Sequence, residues 1–176
     1  GGAATVKITG GMVIAKSGDG ASIGGGSACT GGNASANYNG GTATITISGN
    51  PIIRTGSVGG GSTGAGKGKI GSADITIEGG DIQAQFVLAK GTAQGSINSF
   101  TMNGGIIRNS NTDNTAETEY LNIKEEGGAV WLQDGKCEIS GGTIENCMAT
   151  EGGAIYIAGT NNPTFTMIGG TISNCT

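Results

Sequence analysis

Cys137-Glu138-Ile139-Ser140-Gly141-Gly142-Thr143-Ile144-Glu145-Asn146-Cys147 and, 28 residues further on, Phe165-Thr166-Met167-Ile168-Gly169-Gly170-Thr171-Ile172-Ser173-Asn174-Cys175 are two copies of one pattern. In each, an apolar residue or cysteine stands four and two residues before a Gly-Gly pair, and an isoleucine stands three residues after its first glycine. Alternation with a period of two marks a strand with one buried face, and paired glycines mark a turn. The unit therefore reads as strand, turn, strand. The same frame fits at Gly10-Gly11, Gly49-Asn50, Gly79-Gly80 and Gly104-Gly105. Four residues before the six pairs stand Val6, Ile45, Ile75, Phe100, Cys137 and Phe165, and two before stand Ile8, Ile47, Ile77, Met102, Ile139 and Met167. Three residues after come Val13, Ile52, Ile82, Ile107, Ile144 and Ile172. Polar residues such as Thr44, Thr46, Thr76, Glu78, Lys136 and Glu138 fall between them.

The pairs are separated by 39, 30, 25, 37 and 28 residues. That irregularity is natural in a solenoid, whose strands hold register while its loops absorb insertions. A further strand fits Gly127-Gly128-Ala129-Val130-Trp131-Leu132 and Gly152-Gly153-Ala154-Ile155-Tyr156-Ile157, which makes about three strands per coil. The expected fold is all-β, a right-handed parallel β-helix of about six coils spanning residues 1–176. Equivalent strands stack about 4.8 Å apart, and parallel crossovers are almost always right-handed. Asn109, Asn146 and Asn174 each follow their glycine pair by five residues, which predicts a structural asparagine ladder at a corner.

Composition agrees with a repeat fold and narrows the partners. With 38 Gly, 2 Pro and 12% charged residues, neither packed helices nor a charged disordered chain is favoured. The net charge of −4 and the scattered Lys and Arg give no basic stripe, so nucleic acid and anionic membranes are not expected partners. No apolar run is long enough to span a bilayer, and the first residues lack the pattern of a secretory signal. Export and anchoring are therefore expected to depend on regions outside this segment.

The Gly-Gly-Ala-Val and Gly-Gly-Ala-Ile tetrapeptides at 127–130 and 152–155, set among Gly-Gly-Thr-Ile at 141–144 and 169–172, resemble the pectate-lyase-like β-helices of bacterial surface proteins. Polymorphic outer-membrane proteins are one such group. Ile-Gly-Gly-Gly at 23–26 and Val-Gly-Gly-Gly at 58–61 are similar to repeat-rich surface proteins of gut Gram-positive bacteria, some of them described as carbohydrate-binding. The resemblance implies an extracellular, cell-surface location and a host protein or glycan as partner.

Catalytic patterns are incomplete. The chain has no histidine, which removes Ser-His and Cys-His nucleophile pairs and histidine-based metal sites. Gly61-Ser62-Thr63-Gly64-Ala65-Gly66-Lys67 has the spacing of a phosphate loop, but Gly68 replaces the hydroxyl residue that would hold magnesium. Asn111-Thr112-Asp113 matches one motif of pectin-cleaving glycosidases without its companions, and Asp19, Asp74, Asp81, Asp113 and Asp134 are dispersed. A lyase or hydrolase is thus a remote reading; no catalytic residue, cofactor or metal is expected.

Cys147 and Cys175 occupy equivalent positions in adjacent coils, and either an inter-coil disulfide or two stacked buried thiols satisfies that placement. Cys137 takes a core position, while Cys29 lies in a glycine-rich stretch with no assignable partner. Trp131 and Tyr156 hold matching places in the third strand. If their neighbours point inward, both rings face outward and form a candidate sugar-stacking platform; the alternative is that a loop such as 111–126 covers them. Thr46, Thr76 and Thr101 line one outer face, an array of the kind that binds ice, although Lys7 and Glu138 interrupt it and ordinary β-propensity accounts for it. The segment opens and closes beside core strands without polar caps, which implies either a longer repeat protein or end-to-end self-association. The expected function is a non-enzymatic bacterial adhesin or stalk presenting its loops to a host protein or glycan, with a polysaccharide-binding module using Trp131 and Tyr156 as the alternative.

Overall fold

Period-two alternation produces strands throughout. A computed structural model describes residues 2–15, 21–26, 39–61, 71–86, 99–109, 127–132, 135–157 and 162–176, and among these there are thirteen strands and no helix. They are β1 (Ala3–Ile8), β2 (Met12–Ala15), β3 (Ile23–Gly24), β4 (Thr42–Ile47), β5 (Ile52–Gly59), β6 (Ala73–Phe86), β7 (Ser99–Arg108), β8 (Val130–Leu132), β9 (Lys136–Ile139), β10 (Thr143–Glu145), β11 (Ile155–Ile157), β12 (Thr164–Met167) and β13 (Thr171–Ser173). Cys29, the residues after Gly61 in the phosphate-loop match, Asn111-Thr112-Asp113, the 111–126 stretch, Asp19 and Asp134 lie outside the described residues.

Every pairing among the described strands is parallel. Before the glycine corner, the order runs β1, β4, the first part of β6, the first part of β7, β9 and β12. After it, the order runs β2, β5, the second part of β6, the second part of β7, β10 and β13. β8 and β11 pair separately, as do β3 and the end of β5.

The register links Val6, Ile45, Ile75, Phe100, Cys137 and Phe165 in one continuous column, as the glycine frame predicts. Ile8, Ile47, Ile77, Met102, Ile139 and Met167 form a second column. The middle members of both are fully buried and constitute most of the core. The third column departs from the frame at one place. Val13 pairs with Ile53, not Ile52, and the column continues through Ile82, Ile107, Ile144 and Ile172. Ile53 is fully buried, whereas Ile52 faces outward and is 38% exposed. The cause is one extra residue: five positions separate Ile47 from Ile52, but four separate Ile8 from Met12 and Ile77 from Asp81, which are their register equivalents. The Gly49-Asn50-Pro51 corner absorbs it, with the left-handed conformation at Gly49 (φ 69°), the first residue of the pair, instead of at the second as in Gly80 and Gly105. A one-residue slip reverses the face on which a strand residue lies.

Glycine also builds a packed region of its own. Gly25 donates to Gly59 O, Gly41 to Gly26 O, Gly61 to Gly41 O and Gly71 to Gly61 O, all within 2.8 to 2.9 Å. The segments thus pack backbone against backbone. A Cβ on Gly71 would stand 1.8 Å from Gly41 O, so only glycine fits there. Ile23 and Val58, the residues preceding the two Gly-Gly-Gly runs, are register partners.

Candidate functional site

An organised polar feature among the described residues lies on the outer face after the glycine corner. Alternation sends Arg54, Gln83, Arg108 and Glu145 to one side of the strands whose inward residues are Ile53, Ile82, Ile107 and Ile144. Arg54 Nη2 stands 3.5 Å from Asp81 Oδ2, Arg108 Nη1 donates to Asp81 Oδ1, and Arg108 Nε donates to Glu145 Oε1 at 2.8 Å. Positive and negative side chains therefore alternate across β5, β6, β7 and β10. Each is between 23% and 36% exposed, which leaves the ladder open to solvent and salt. On the preceding face, Ser99 Oγ donates to Asp74 Oδ1 and Ser140 Oγ donates to Asn103 Oδ1, each at 2.7 Å. Thr46, Thr76 and Thr101 stand in register there.

Between the two faces lies an open hollow of about 550 Å³, lined by Gly49, Asn50, Pro51, Ile52, Glu78, Gly79, Gly80, Asp81, Gly105 and Ile106. It sits at the irregular corner. Sequence reasoning missed both the hollow and the ion ladder. The one available signal was Pro51 followed by two consecutive isoleucines, which allows either isoleucine to be the inward one.

The two rings of the candidate aromatic platform differ in exposure. Trp131 and Tyr156 are register partners on β8 and β11, as their matching places predict. Trp131 is nevertheless only 5% exposed, and its neighbours Val130 and Leu132 are also buried. Alternation fails on this short strand because all three side chains are covered, so the indole offers no open face for a sugar. Tyr156 is half-buried and packs against the core.

Cys137, Cys147 and Cys175 are free thiols. Cys147 Sγ lies 3.4 Å from Glu145 O and 4.0 Å from Ile107 O, and Cys175 Sγ lies 3.2 Å from Ser173 O and 3.9 Å from Ile144 O. These are the same contacts one repeat apart. Translation along a parallel stack separates the sulfurs by about the strand spacing of 4.8 Å, while a disulfide needs about 2.05 Å. Of the two readings of this pair, the structure holds stacked thiols and no disulfide. Burial, then the neighbouring Cys175, pushes the Cys147 thiol up to about 12. Burial, then the Glu138 charge, does the same to Cys137, also to about 12. Neither is an activated nucleophile.

The three asparagines divide by role. Asn146 and Asn174 both adopt the left-handed conformation at φ 52°, which asparagine tolerates better than most residues. Asn109 is 3% exposed and does not share it; its Nδ2 donates to Met148 O at 2.8 Å and its Oδ1 accepts from Met148 N at 2.6 Å. Its amide thus acts as a peptide group, tying the end of β7 to the chain beyond Cys147.

No helix among the described residues is long and apolar enough to cross a membrane. In comparisons with known proteins, no family model, no curated protein and no solved structure matched this chain.

Proposed function

We infer that the chain is a segment of a right-handed parallel β-helix exposed on a bacterial cell surface, where it acts as a non-enzymatic adhesin or stalk. One observation carries the reading: the side-chain columns continue from Val6 to Phe165 and from Val13 to Ile172 through consecutive parallel pairings. Such stacking makes each repeat a template for the next and generates long outer faces of regularly spaced side chains. The right hand follows from the general preference of parallel crossovers. Surface location and a host protein or glycan partner rest on the resemblance of the Gly-Gly-Ala-Ile and Gly-Gly-Thr-Ile repeats to bacterial surface β-helices. The side chains support recognition over turnover, since the outward arginines and carboxylates after the corner neutralise one another and burial keeps the Cys137 and Cys147 thiols protonated.

The test is a binding screen of the chain against arrayed glycans and host extracellular-matrix proteins, with circular dichroism on the same sample. Selective binding by a chain with a β-sheet spectrum agrees with the proposal. A chain with a β-sheet spectrum that binds neither class contradicts it.

A further inference from the structure

The glycine corner is side-chain-poor along the whole repeat column, and among the described corners only Gly49-Asn50-Pro51 carries an extra residue. Three consequences converge there. The insertion turns Ile52 outward, leaving a large aliphatic side chain 38% exposed. It places Pro51 against the next corner, where a Cβ on Gly80 would stand 2.9 Å from Pro51 Cγ. It also lies beside Glu78, an exposed carboxylate at the end of the preceding face, and Asp81, whose oxygens are already engaged by Arg54 and Arg108. The resulting hollow of about 550 Å³ falls within the range of small-ligand sites, roughly 300–1,000 Å³.

We propose that this hollow binds an uncharged sugar unit of a glycan, with Ile52 and Ile106 against its C–H face and the Glu78 carboxylate accepting hydrogen bonds from its hydroxyls. The lining has aliphatic surface on the side after the corner and an acceptor on the side before it, which matches the two-sided character of a pyranose. Charge selects further. The hollow presents the exposed Glu78 carboxylate and no cation in its lining, because Arg54 and Arg108 stand outside it with their guanidiniums turned to Asp81, whose charge they offset. Uronic-acid and sulfated sugars would meet repulsion there, so neutral hexose or pentose oligomers are the ligand class. The site is distinct from the covered Trp131 and the half-buried Tyr156. This inference rests on the glycan branch of the proposed surface function and deepens it.

The experiment titrates the whole chain with neutral cello-, xylo- and manno-oligosaccharides and with oligogalacturonate, followed by calorimetry and by NMR shifts of Ile52 and Ile106 methyls. The same titrations are run on Glu78→Ala and Ile52→Ser, both at exposed side chains, with circular dichroism confirming that each variant folds. Binding of a neutral oligosaccharide, with shifts at both isoleucines and about tenfold weaker affinity in Glu78→Ala, is the expected result. Oligogalacturonate should bind more weakly than its neutral counterparts. Glycan binding equal in the wild type and both variants would remove the hollow while leaving the surface function intact. Host-protein binding with no neutral glycan bound would also overturn the inference alone, and absence of every ligand would overturn both.

Discussion

Ile52 and Ile53 show how finely a single residue is determined. Both are β-branched and adjacent, so composition and propensity treat them alike, yet one is fully buried and the other is 38% exposed. Their energetic difference should be large. Ile53→Ala removes a packed side chain and leaves a cavity, which costs about 2–5 kcal/mol, whereas Ile52→Ala should cost less than about 1 kcal/mol. Urea unfolding of the two variants measures this directly, and equal losses would place the inward residue wrongly. Asn109 makes the same point about polar groups. Its spacing groups it with Asn146 and Asn174, but only the fold sets its amide against the Met148 backbone.

At the scale of elements, adjacent strands are coupled by side chains that repeat from one to the next. The Arg54, Asp81, Arg108 and Glu145 ladder joins four strands, and Arg108 contacts both carboxylates. Arg108→Met keeps the aliphatic stem and removes both ion pairs. Because these groups are partly exposed, the expected loss is about 1 kcal/mol at low salt, shrinking in about 1 M salt. Denaturation at the two salt concentrations reads out the difference. The buried thiols couple stability to pH in a defined direction. A thiol whose value rises from the ordinary 9.0 to about 12 on folding retains its proton in the native state while the unfolded chain loses it. Stability is therefore undiminished below pH 9.0 and declines as pH climbs towards 12. A Cys137→Val, Cys147→Ala double variant should flatten that decline in thermal melts between those limits, and a slope identical to the parent chain would show that the thiols are not its source.

Across the whole molecule, burial is graded along the stack. Core residues of β4, β6 and β7 such as Ile45, Ile77 and Phe100 are fully buried, while every residue of β12 is exposed and β1 is half-covered at best. In a one-dimensional array each repeat is stabilised by its two neighbours, so the terminal repeats should open first. Amide hydrogen exchange should show slowest exchange in β6 and β7 and fastest in β1 and β12. Uniform protection throughout would mean that the chain unfolds as one unit and that the nearest-neighbour picture fails. The same gradient places the corner hollow, between β5, β6 and β7, in the most firmly held part of the stack.

The order of residues alone was enough to establish an all-β repeat with two uninterrupted core columns, since period-two alternation around glycine pairs leaves a parallel in-register stack as the consistent arrangement. It also located the paired cysteines and the paired aromatics at equivalent positions. What surrounds those positions was decided only in three dimensions. Trp131 is covered where alternation would expose it, Cys147 and Cys175 sit translated along the stack instead of facing each other, and Ile52 turns outward. The physical reason is common to all three. Periodicity specifies which side of a strand a residue occupies, but a one-residue insertion, the direction of a side chain within its row and the cover supplied by distant segments are properties of neighbours brought together by folding.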